Sequence, residues 1–275
     1  MFRTRAASVG RVTTTRALLA VALAATVLTG CAADRATVLQ PIATPVERWL
    51  AAEPSLIAHR GGSADWPEGT TFAYDQAAAW SPDLALEAPV WLTADGVWVV
   101  CHDATTGAEF DVDLDIATST WAQLSQLRTV DGGQPLARLS DVLAAHPDRV
   151  WLVDDKPSAD VPGLLDLLDA AGGPGRFVVK GFFSGRAWTE QARARGYTTW
   201  GYYYPTNMAD FAATQSAWDI VALQWDAPAA DWTTALATGR RVFGHVVRDD
   251  AQAQQALAAG ATGLMVAGVT EVVPR

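Results

Sequence analysis

Lysine is almost missing from this chain. Its 275 residues include two, Lys156 and Lys180, against eighteen arginines. Basic residues total 20 and acidic ones 30, for a formal net charge of −10. A nucleic-acid partner calls for a basic face, so none is expected. Cysteine is equally scarce: Cys31 and Cys101 are the whole supply. That excludes a disulfide scaffold and any cysteine-rich zinc or iron–sulfur site. Neither G-x-G-x-x-G nor G-x-x-x-x-G-K-[ST] occurs, which argues against an open, doubly wound nucleotide-binding sheet. There is no internal repeat, and beyond residue 30 no apolar run approaches membrane-spanning length. What is plentiful is apolar residue, at 50%, with 18% charged. That suffices for one large core and is too much for a disordered chain.

The first thirty residues read as a leader. Arg3, Arg5, Arg11 and Arg16 stand in a stretch without acids, and residues 17–30 are apolar and small. This is the pattern of a secretory signal peptide. Its ending, Leu28-Thr29-Gly30-Cys31, resembles the bacterial lipoprotein lipobox. The resemblance implies cleavage before Cys31, lipidation of Cys31 and an extracytoplasmic protein anchored to the cell membrane. The alternative is an ordinary signal peptide with a chance cysteine. Loss of four arginines would deepen the net charge to −14. A lipidated Cys31 leaves Cys101 as a free thiol. Residues 31–54, with Pro41, Pro45 and Pro54, read as a tether in which 46–52 admits a short helix. Residues 55–275 read as a single domain.

Within that domain, β-branched or apolar runs alternate with alanine-rich helical stretches. The runs fall at 56–61, 84–88, 97–102, 150–156, 177–182, 198–204, 220–225, 242–247 and 263–267. Several helical stretches end in glycine, as helix C-termini prefer, at Gly172, Gly196, Gly239 and Gly260. Such alternation implies a parallel sheet. The second and third runs are too close for a parallel crossover, so they form an antiparallel hairpin around Asp95-Gly96. Eight parallel strands remain. The expected fold is a (β/α)8 TIM barrel with a hairpin inserted after strand two.

Active groups of such barrels lie at the C-terminal strand ends. Here those ends carry His59-Arg60, Glu87, His102-Asp103 and Asp154-Asp155-Lys156. Asp154 and Lys156 are two apart and share a strand face. Buried charge costs free energy unless it is paired or metal-bound, so this is an expensive structural choice. Each residue alone has a plainer reading: His59 as a core histidine, Arg60 as a surface ion-pair partner, Asp103 as a turn residue, Glu68 as a first-turn helix acid. His146 reads as a helix-end residue and His245 is ambiguous. Taken jointly, the plain readings of His59, Glu87, His102, Asp154 and Lys156 are hard to sustain. Two histidines suit acid–base chemistry near neutrality. Clustered carboxylates suit Mg²⁺ or Ca²⁺, and Arg and Lys suit phosphate oxygens. The set describes phosphoryl-ester chemistry.

The segments IAHRGGSADWPEGTTFAYDQAAA and LALEAPVWLTADGVWVVCHDATT, with Asp154-Asp155-Lys156, resemble the glycerophosphodiester phosphodiesterases. Their successive patterns are HRG, PENT, E-x-D, T-K-D-G, HD and E-x-K. The resemblance implies a TIM barrel that hydrolyses glycerophosphodiesters or related phospholipid-headgroup phosphodiesters. It implies His59 and His102 as the acid–base pair, Glu87 and Asp154 as ligands of a divalent metal, Ca²⁺ or Mg²⁺, and Arg60 and Lys156 as phosphate-binding residues, with Glu68 in support. Oligomeric state is not legible.

Departures sit at the same rim. The second acid of E-x-D is Pro89, the Asn of PENT is Gly69, and the third ligand is the shorter Asp154, as in the sphingomyelinase D relatives of the fold. Later motifs are replaced by Gly244-His245-Val246-Val247 and Val266-Ala267. Two further readings therefore stand: a phospholipase D- or sphingomyelinase D-like lyase, and a catalytically degenerate barrel that binds a phosphodiester at the cell surface.

Overall fold

The structure, a computed structural model, describes residues 43–157 and 159–275. The leader and its lipobox, Cys31 included, lie outside the described residues. The strands are β1 (Ser55–Ala58), β2 (Ala85–Leu92), β3 (Trp98–Val100), β4 (Trp151–Asp155), β5 (Phe177–Phe182), β6 (Thr198–Tyr203), β7 (Ile220–Gln224), β8 (Arg241–Val247) and β9 (Gly263–Val266). The helices are α1 (Pro45–Ala51), α2 (Thr71–Trp80), α3 (Trp121–Leu124), α4 (Leu139–Ala145), α5 (Val161–Ala170), α6 (Arg186–Ala194), α7 (Phe211–Thr214), α8 (Ala229–Leu236), α9 (Asp250–Ala258) and α10 (Val269–Val272).

Hydrogen bonding runs β1-β9-β8-β7-β6-β5-β4-β2, and β1 also pairs with β2. All these pairings are parallel, so eight strands close into the expected barrel. β3 pairs antiparallel with β2, Trp91 opposite Val99. Its turn is built as the Asp-Gly pair requires. Gly96 takes φ 78°, a left-handed angle open to glycine. The Thr93 hydroxyl donates to Asp95 Oδ1 (2.7 Å) and accepts from Val97 N–H (2.9 Å). His102 falls just past β3. The excursion from there to α4 carries its own apolar cluster, including Cys101, Phe110, Ile116 and Leu127. The Cys101 thiol is free and buried, and burial pushes its pKa up to about 12.

Side chains alternate along each strand, so every second residue enters the barrel. The lower interior is apolar: Ile57, Ala85, Leu152, Val178, Trp200, Ala222, Phe243 and Met265 form one cluster with Val46 and Trp49 of α1. The short helix expected within 31–54 is thus α1, and it plugs the barrel floor. Thr44 and Glu47 cap it reciprocally, and Pro45 opens it. Trp49 meets Phe243 edge-on at 5.7 Å, and its indole N–H donates to Leu56 O (3.0 Å). On the strands' outer faces Ala58, Leu86, Val153, Val179, Val221 and Leu264 join helix residues such as Leu164, Trp232 and Ala256 in the larger cluster.

Candidate active site

Two residues beyond the apolar layer, the same strands turn polar. Ile57 is followed by His59, Ala85 by Glu87, Leu152 by Asp154, Val178 by Lys180, Trp200 by Tyr202 and Phe243 by His245. A strict period of two therefore lifts these side chains into one layer at the C-terminal mouth.

β1 ends in a sharp turn. Arg60 adopts φ 52° and Gly61 and Gly62 take 81° and 95°. For a residue with a Cβ, a left-handed backbone costs about 1 kcal/mol. At Gly62 a Cβ would lie 2.8 Å from the Trp66 ring, so the turn demands glycine there. The conformation aims Arg60 N–H at Glu87 Oε2 (2.8 Å). The Arg60 guanidinium meets both oxygens of Glu68 through one nitrogen (2.8 and 2.9 Å). Its Nε–H is buried and makes no hydrogen bond among the described residues. Burial raises the Glu68 pKa to about 7, against the pull of Arg60.

Glu87 and Asp154 are almost fully buried. Lys180 Nζ reaches Glu87 Oε1 (2.9 Å) and Asp154 Oδ2 (2.8 Å), and Lys156 Nζ meets the same Asp154 oxygen (2.9 Å). Burial pushes both carboxyls up, but Lys180 acting together with Lys156, and at Glu87 with Arg60 as well, outweighs it and holds them below the usual carboxylate range. Burial pulls Lys180 down, and Asp154 and Glu87 more than reverse this, so it stays charged. The ammonium also sits 5.0 Å from the Tyr202 ring centroid and 5.8 Å from that of Trp200.

His59 Nδ1 lies 3.1 Å from Ser63 Oγ. Burial, then the neighbouring charges of Arg60 and Lys180 and the rings of His102 and His245, hold its pKa well below the ordinary value. His102 is more open, its side chain 37% exposed, with Nδ1 2.7 Å from Asp103 Oδ1. A carboxylate only accepts, so Nδ1 carries the proton and Nε2 is the free end. Burial, Arg60 and Lys156 lower the His102 pKa, while Asp103 favours its imidazolium. His245 is buried among Trp200, Tyr202 and Tyr204. Burial, then Lys180, lowers its pKa to about 3, and its Nε2 makes no hydrogen bond among the described residues.

The structure thus gathers His59, Arg60, Glu68, Glu87, His102, Asp154 and Lys156 at one mouth. Three participants were not assigned from sequence. Lys180 carried a signal, since it lies two residues after an apolar β5 position. His245 is likewise two beyond Phe243. Asp103, read as a turn residue, instead orients His102. A cavity of about 440 Å³ opens beside the charged layer, lined by Asp154, Lys156, Phe182, Trp188, Tyr202 and Tyr204.

The residues do not fit the expected divalent metal. Mg²⁺ and Ca²⁺ take six or more oxygen ligands, waters included, and a protein holds them through carboxylate oxygens that are free to coordinate. Pro89, opposite Asp154 in the β2–β4 register, offers no side-chain oxygen. Both Glu87 oxygens are taken, by Lys180 and by Arg60 N–H. Glu68 is held by Arg60, and one Asp154 oxygen is shared by two ammonium groups. Among the described residues, no three His, Cys, Asp or Glu side chains are grouped to hold a metal ion. The expected ligands Glu87 and Asp154 are instead lysine partners.

Comparison with known proteins places this mouth in context. The model of the glycerophosphoryl diester phosphodiesterase family matches residues 59–172. A Mycobacterium tuberculosis protein described as a probable glycerophosphodiester phosphodiesterase is 42% identical over 83 residues, 28% of this chain and 28% of that protein. The Bos taurus glycerophosphodiester phosphodiesterase 1 is 40% identical over 73 residues, 26% of this chain and 22% of that protein. The match therefore spans under a third of these relatives' length. An Oleispira antarctica phosphodiesterase, solved in complex with the product sn-glycerol-3-phosphate, superposes with a TM-score of 0.67 at 18% identity, covering 78% of this chain and 94% of that one. That likeness shows the fold.

Proposed function

We propose that this protein binds and cleaves glycerophosphodiester-type phosphodiesters at the barrel mouth. One observation carries the reading: His59 and His102 stand at the same rim as Lys156 and the buried, uncommitted Nε–H of Arg60. Arg60 and Lys156 supply donors for phosphate oxygens. Both histidines are held towards neutrality by burial first and then by the charges of Arg60 with Lys180 or Lys156, and a bound phosphodiester anion would oppose this by favouring their charged forms. His59, half-buried and neutral, suits removal of a proton from the attacking hydroxyl. His102, whose imidazolium Asp103 stabilises, suits delivery of a proton to the leaving oxygen. The similarity over residues 59–172 supports the substrate class.

A second reading, a barrel that binds phosphodiesters without turning them over, draws support from Pro89 and from the lysine on Glu87 and Asp154. Turnover of glycerophosphocholine and glycerophosphoglycerol, followed by phosphorus NMR, separates them. Release of glycerol phosphate, lost in His59→Ala and His102→Ala, supports hydrolysis. A cyclic phosphate would mean the lyase, and binding without turnover would mean the second reading.

The leader supports placing the barrel on the outer face of a membrane through a lipidated Cys31. Cys31→Ser is expected to move the protein from the membrane fraction to the soluble fraction, as read by immunoblotting.

A further inference from the structure

We infer that the Lys180 ammonium is a built-in replacement for the divalent cation, so that this mouth binds phosphate esters without metal. The identity of the anion rests on the phosphodiester reading above; the cation replacement does not. The geometry of the strands carries the argument. Lys180 is the register partner of Asp154 across β4–β5 and points inward, two residues after Val178. It lies within 2.9 Å of both Glu87 and Asp154, whose side chains are 1% and 4% exposed. Two buried carboxylates with no counter-charge would be strongly unfavourable, so something cationic must stand between them. In this chain it is a covalently attached ammonium, seated over the Tyr202 and Trp200 rings.

Two further features make the replacement self-consistent. A divalent ion in that space would face Lys180, Lys156 and Arg60 with too few anionic oxygens to offset them. Pro89 removes the one position on β2 from which a second carboxylate would have completed a cation cage. Lys180 offsets one of the two carboxylate charges and Lys156, on the same Asp154 oxygen, the other, which leaves the remaining N–H groups of Lys156 and the Arg60 guanidinium for the phosphate.

The test titrates CaCl₂ and MgCl₂ into the intact wild-type protein by calorimetry, and sn-glycerol-3-phosphate with and without EDTA. No saturable divalent binding is expected, and the phosphate ester should bind equally well in EDTA. In parallel, Lys180→Gln strips the counter-charge. Its melting temperature should fall by on the order of 10 °C and recover in millimolar Ca²⁺ or Mg²⁺. Lys180→Arg should stay near wild type and ignore metal. Divalent binding by wild type tighter than about 1 mM, the weak end of protein calcium sites, would overturn the inference. So would a Lys180→Gln protein that folds stably and gains nothing from metal. If Lys180→Gln does not fold, the wild-type titration alone decides. Phosphate-ester binding that requires metal sinks the inference and leaves the phosphodiester reading standing. Absence of both metal and ester binding does the reverse.

Discussion

The barrel holds two interiors built on the same strands. In the lower one, Ile57, Leu152, Val178, Trp200 and Phe243 pack against Val46 and Trp49. In the upper one, two residues on, His59, Asp154, Lys180, Tyr202 and His245 face the mouth. The lower layer is regular strand, whereas at the rim β1 gives way to the left-handed turn at Arg60 and β8 is irregular between Gly244 and Val247. What changes is how each layer satisfies itself: the lower by area removed from water, the upper by ion pairs whose net contribution is small but whose disruption is costly. Stability is therefore expected to track the floor, and chemistry the rim.

Several measurements break or sharpen that contrast. The largest effect belongs to the floor. Trp49→Ala removes a buried indole and its bond to Leu56 O, and should cost about 4 kcal/mol in denaturant unfolding. Phosphate-ester affinity of the folded protein should not change; a large loss of affinity would mean the two layers are coupled. At the rim, His59→Ala or His102→Ala should lower turnover by roughly 100-fold or more while leaving the denaturation midpoint close to wild type. Should both variants unfold, the rim would be structural after all.

Glu68 lies between these extremes. Its folded pKa is raised from 4.5 to about 7 by burial. The folded state thus favours the protonated carboxyl, and the stability this contributes is fully present below pH 4.5 and lost as pH rises through 7. Melting of wild type against Glu68→Gln should show the variant gaining on wild type across that window. A constant difference would show that Arg60, not burial, governs the carboxyl. The smallest effect expected is at Asp103. Asp103→Asn keeps the bond to His102 but removes the charge that favours its imidazolium. Turnover should fall by roughly tenfold, with the alkaline limb of the pH–rate profile, set by the proton donor His102, displaced to lower pH. An unchanged profile would return Asp103 to a mere turn residue.

Much of the barrel was legible because its signals are local. The Asp95-Gly96 turn, the spacing between the second and third runs, and the alternation of strands with glycine-terminated helices each depend on a few neighbouring residues. The rim residues up to Lys156 were legible for a similar reason: they cluster at strand ends within one stretch of chain. The segment 31–54 was harder to read. Its prolines suggest a tether, and only the buried Val46 and Trp49 show that its last third plugs the barrel. Asp103 misled because a carboxylate after a strand usually serves a turn, and its bond to the adjacent His102 depends on side-chain direction.

The sequence by itself determined the number of parallel strands, the hairpin and the charged groups at the strand ends up to Lys156, with a proline rather than a carboxylate two residues after Glu87. These follow from residue type and periods of two and 3.6, which the chain carries wherever it goes. Only the tertiary structure decided what neutralises the polar layer. Lys180 and Glu87 are 93 residues apart in the chain. Their ion pair exists because β2, β4 and β5 lie side by side and the closed barrel turns their side chains into one small, water-poor space. There, an unpaired charge is too costly to leave, and the nearest cation is the protein's own.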